Sequence, residues 1–80
     1  MNTPLGKVGR ITYMFQGTER VTMVERSTGR HAGYKTEKIL LKKLKESVER
    51  MSQRFPIVSV EVLTIAMVST NVQLINVGDL

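Results

Sequence analysis

The stretch that most constrains this chain is Thr36 to Phe55, TEKILLKKLKESVERMSQRF, which contains neither Gly nor Pro. At about 100° per residue, Leu40, Leu41, Leu44, Val48, Met51 and Phe55 fall within one stripe about 100° wide. That spacing predicts a helix over 36–55 with an apolar side that must lie on something. Thr36 stands where an N-cap hydroxyl can accept from an orphan N–H, and Glu37 suits the positive end of the dipole. Pro56 ends the run, because it has no N–H to donate and disfavours helix at Phe55. On the surface, Lys42–Glu46, Lys45–Glu49 and Glu46–Arg50 are spaced for i,i+4 pairing. Burying one stripe does not offset the entropy of ordering the run, so a sheet must supply the remaining surface.

The flanking sequence supplies strands. Residues 1–6 read as a loose leader containing Pro4 and Gly6, and 7–80 as a single domain. Lys7 to Gln16 alternates, with Ile11, Tyr13 and Phe15 on one face and Arg10, Thr12 and Met14 on the other. Gly17 and Thr18 suggest a turn, and 20–27 a second strand, together a hairpin. Ser27 to Lys35, STGRHAGYK, reads as a loop. After the helix, 57–68 is rich in β-branched residues, with Val58, Val60 and Val62 on one side and Ile57, Leu63, Ile65 and Met67 on the other. It reads as a strand buried on both faces, bent near Leu63–Thr64 because twelve residues would extend to about 40 Å. Ser69, Thr70 and Asn71 form a turn, and 72–77 closes the sheet.

The order is hairpin, helix, hairpin: an α+β fold, ββαββ, one long helix on a four-stranded antiparallel sheet. One helix covers one sheet face. An uncovered apolar face asks for a partner, most simply a second copy in a two-fold homodimer, with Val58, Val60, Val62 and Ile65 at the seam.

Charge is distributed as unevenly as hydrophobicity. Residues 1–55 hold all twelve Lys and Arg against five Glu, whereas 56–80 hold only Glu61 and Asp79. A cationic front and a dry C-terminal scaffold are expected. Lys43, Arg50 and Arg54 share one helix flank. If the 27–35 loop sits at the helix start, Arg30, His31, Tyr34, Lys35 and Lys38 gather there. Such clusters attract phosphates without sequence preference, and Tyr34 is the aromatic best placed to stack on a base.

Catalytic and metal chemistry find little footing. There is one His, no Cys, and no Asp before Asp79, so no disulfide, thiolate site or metal-ligand spacing is present. No cofactor is expected, and Gly29 and Gly33 match no phosphate-loop pattern. No apolar run reaches the ~18 residues of a membrane span, and Met1 to Gly6 lacks the apolar core of a secretory signal. The expectation is a cytoplasmic, non-catalytic binding protein without an evident small-molecule substrate. Its partner would be nucleic acid, met through residues 27–38 and one helix flank. The alternative is a regulator or inhibitor, of the kind phages and mobile elements encode, docking its basic face on an acidic protein surface. A third reading, a small basic ribonuclease, would use Arg30, His31 and Tyr34 for acid–base work and phosphate holding.

Overall fold

The computed structural model describes residues 6–25, 27–28, 31–32, 34, 36–65 and 70–80. Strands β1 (Gly6–Phe15) and β2 (Thr18–Val24) precede two short strands, β3 (Ser27–Thr28) and β4 (His31–Ala32). Helix α1 (Glu37–Ser52), β5 (Ile57–Ile65), β6 (Thr70–Ile75) and a 3₁₀ turn, Val77–Asp79, complete the chain. The main sheet is antiparallel in the order β2-β1-β5-β6. One helix packs on a four-stranded antiparallel sheet, as the ββαββ pattern predicts. The addition is the β3–β4 ladder, inside a segment whose sequence suggested a loop. A pair of backbone hydrogen bonds between Lys7 and Tyr34, 2.9 and 2.8 Å, moors that segment to the start of β1.

The β1–β2 turn is Gln16–Gly17, one residue earlier than predicted, with φ of 51° and 78°. Two positive φ values in a two-residue hairpin loop give a twist that matches the strands. Thr18 is therefore already in β2, opposite Phe15.

Directly opposed residues share a sheet face, so register settles what the helix covers. Ile11 opposes Val60 and Gly9 opposes Val62. With Leu40, Leu44 and Val48 of α1, Ile11, Val60 and Val62 form the buried core. The helix sits over β1, β2 and β5. Val60 and Val62 were expected at a dimer seam, but they lie beneath α1 and are closed to any partner. Val58, two residues earlier, is exposed. The cause is a β-bulge: Thr12 opposes Ser59 and Tyr13 opposes Ile57, leaving Val58 unpaired. An extra residue reverses the alternation, which turns Ile57 toward the core. The irregularity thus falls at Val58, not near Leu63–Thr64. Ile65's side chain lies outside the described residues.

Gly9 lets the helix approach. A methyl group there would meet Leu44, with Cγ at 2.8 Å and Cδ2 nearer still. At its far end the helix stops at Ser52, three residues short of the predicted end, and Phe55 N–H turns back to Met51 C=O at 2.8 Å. Phe55 then packs on Tyr13 and Phe15, with ring centroids 5.2 and 5.7 Å apart. Thr36 occupies the N-cap position, but its hydroxyl makes no capping bond. The C-terminal third is not uniformly dry: β5 is the buried strand, whereas β6 is exposed along its length except for half-buried Ile75. The helix axis lies over the other three strands, so β6 stands beyond its edge.

Candidate nucleic-acid interface

The cations of α1 divide between two flanks. Leu41, Lys42 and Lys45 border a cleft of about 570 Å³ whose other wall includes Ile75 and Asp79. That flank therefore faces β6. Lys43 and Arg50 lie about 140–160° around the axis from Lys45 at about 100° per residue, on the side toward β2, and Arg54 follows in the turn after the helix. All three are exposed. Lys38 is exposed on the β6 flank, about 18 Å from Arg50 along a helix rising about 1.5 Å per residue. Lys38 of the expected loop cluster thus stands on the other flank of α1 from Lys43 and Arg50.

A fourth cation, unsuspected from the sequence, joins the β2-side flank. Arg20 opposes Tyr13 and so shares the helix-facing side of the sheet. Its guanidinium carbon lies 4.6 Å from the centre of the Phe15 ring. Phe15 in turn touches Phe55, the residue after Arg54. Arg20 therefore lies against the aromatic pair whose Phe55 follows Arg54 in the chain, with Arg50 four residues before Arg54, in the last turn of α1. Arg50 complements the negative end of the helix dipole. Among the described residues, Arg20, Arg50 and Arg54 have no ion-pair partner. Lys43 reaches Glu46 at 3.9 Å, both well exposed, a contact worth about 0–1 kcal/mol. It replaces the i,i+4 pairs that the helix sequence suggested. The alternation of β2 already put residue 20 on the same side as Thr22 and Val24, which was the available signal.

The remaining predicted residues are less favourably placed. Tyr34 is half-buried against the core cluster, so its ring is not a free stacking platform. Tyr13, Phe15 and Phe55 are likewise half-buried. Arg30, Lys35 and the side chain of His31 lie outside the described residues. Among the described residues, no group of three His, Cys, Asp or Glu converges, and no helix is long and apolar enough to cross a membrane.

Comparison with protein families, with curated proteins and with solved structures finds no match for this chain.

The sheet face away from the helix has a different character. There Arg10 Nε and Nη2 donate to Glu61 Oε1 and Oε2 at 3.0 and 2.7 Å. This paired hydrogen bond holds the Glu61 carboxyl below the usual carboxylate range, against a smaller opposing effect of desolvation. The same contact raises the pKa of Arg10.

Proposed function

We propose that this chain is a non-catalytic binding protein that grips nucleic-acid phosphates through Arg20, Lys43, Arg50 and Arg54. The observation that carries the reading is Arg20 seated on Phe15, whose ring packs on Phe55, the chain neighbour of exposed Arg54. It brings a strand arginine to the end of α1 from which Arg50 and Arg54 are exposed. Guanidinium forks match phosphate oxygens in pairs. From Lys43 to Arg50 the helix rises about 10 Å, the axial span of about three phosphates along one strand of duplex DNA. With each aromatic ring engaged in packing, the strip supports a backbone grip rather than base stacking. Sequence-independent binding is the consequence.

Salt titration tests this. Four phosphate contacts give a slope of log affinity on log salt of about −3.6, hence a loss of about 100-fold between 50 and 200 mM. Arg50→Glu with Arg54→Glu should weaken binding at every salt concentration and reduce the slope by about 2. A protein that binds neither duplex nor single strands at low salt would refute the reading. An acidic protein surface would then be the partner for the same strip.

A further inference from the structure

The two edges of the main sheet are built differently. At one edge, β2 carries Glu19 and Arg20 within the strand. At the other, β6 has neither a charge nor a proline from Thr70 to Asn76. Charged side chains and prolines are the usual means of keeping an edge from pairing with another chain. Among the described residues, no strand pairs with β6 on its outer side. The helix does not block the way: a cleft of about 570 Å³ separates its flank from β6, and every residue from Thr70 to Leu74 is exposed. Val72 opposes Leu63 and Leu74 opposes Glu61, which places both on the face away from α1. They are 53% and 72% exposed, Leu74 more than any other large hydrophobic among the described residues.

We infer that β6 pairs antiparallel with β6 of a second copy, about a two-fold axis that passes through Gln73 perpendicular to the sheet. Two four-stranded sheets then become one continuous sheet with both helices on the same side. Asn71 to Ile75 of one copy face Ile75 to Asn71 of the other. Opposed residues share a face, so Val72 meets the second copy's Leu74, and Leu74 its Val72. These exposed side chains close into one apolar cluster. On the helix side Gln73 meets its own counterpart, and a side-chain amide can both donate and accept. An axis through Val72 would set Leu74 against Thr70, and one through Leu74 would set Val72 against Asn76, each time apolar against polar. Because β6 carries no charge, pairing it with itself opposes no like charges. The helix is centred near β1, so the two helices stand roughly 24 Å apart at about 4.8 Å per strand, and salt screens their lysines from one another. Five opposed pairs supply about four to six backbone hydrogen bonds, the low end for a specific interface. A reversible, concentration-dependent dimer follows. The cationic strip beside β2 lies at the opposite edge, so the inference does not depend on what that strip binds.

Sedimentation of the full chain, without nucleic acid, provides the test. The expected result is a monomer of 9.0 kDa in equilibrium with a species of twice that mass, detectable by about 1 mM. Val72→Lys with Leu74→Lys sets cations against cations across the seam and should weaken association by at least about tenfold. Both positions are exposed, so the circular dichroism spectrum should not change. The register is tested by Val72→Glu with Leu74→Lys, in which each copy's new anion faces the other's new cation. That chain should associate at least about tenfold more tightly than the like-charged one. In both variants the cation introduced at position 74 opposes Glu61 within its own chain, so neither burdens the fold with a like-charge pair there. A monomer at every concentration up to about 1 mM, a dimer indifferent to the like-charged change, or equal association of the two variants would each overturn the inference.

Discussion

Gly9→Ala isolates the closest approach in the fold. The added Cβ would lie 2.8 Å from Leu44 Cγ, with Cδ2 nearer and Cδ1 at 3.1 Å. Leu44 is fully buried among Ile11, Leu40, Val48, Val60 and Val62, so its side chain cannot swing aside without displacing them. Gly9 itself has no positive φ, hence Ala gains about 0.5–1 kcal/mol of backbone entropy there. Overpacking costs about 1–3 kcal/mol, and a net loss of about 1–2 kcal/mol is expected. With a urea m-value near 1 kcal/mol/M for so short a chain, the midpoint should fall by about 1–2 M. Leu44→Ala alone should cost about 2–5 kcal/mol through its cavity. Combined with Gly9→Ala, that cavity accepts the new methyl, so the double variant should cost about 1–2 kcal/mol less than the two losses added. A Gly9→Ala loss below about 0.5 kcal/mol, or a strictly additive cycle, would refute the claim that glycine sets the helix–sheet distance.

Two further substitutions probe the turn and the open face. Gln16 is a non-glycine residue held at φ 51°; Gln16→Asn restores the preferred Asn-Gly hairpin loop and should raise the melting temperature by several degrees, about 0.5–1 kcal/mol. An unchanged or lower melting point would contradict the turn geometry. Glu61 has its pKa depressed by Arg10, so its stabilising effect is complete above the ordinary Glu value of about 4.3 and is lost as pH falls through the folded-state value. The melting-temperature gap between the native chain and Glu61→Gln should therefore hold steady at neutral pH and shrink below about pH 4; a gap independent of pH counts against the pair.

How much of this was legible in the sequence follows from the range of the signals. The helix declared itself because Leu40, Leu44, Val48 and Met51 repeat at a local period. Ile11, Tyr13 and Phe15 declared a strand face in the same way. Even the β5 alternation was visible, but its direction was not: pairing with Ile11 and Gly9 turns Val60 and Val62 toward the helix, while the unpaired residue at Val58 turns that side chain outward, and a bulge leaves no mark in the pattern of apolar residues. Gly9 could have been read as a point of close backbone approach within a strand, though not that Leu44 was the neighbour. Arg20 reaches the candidate site through strand pairing with Tyr13 and stacking on Phe15, relations between residues that helical projection alone cannot combine.

The most direct test of the phosphate grip is residue-resolved. Amide chemical shifts of the protein should be followed as a short duplex is added at low salt. Changes concentrated at residues 18–22 and 43–55, reversed by salt, are the result expected from the convergence of Arg20, Arg50 and Arg54. Changes confined to residues 37–42, or none in 18–22 and 43–55, would contradict it.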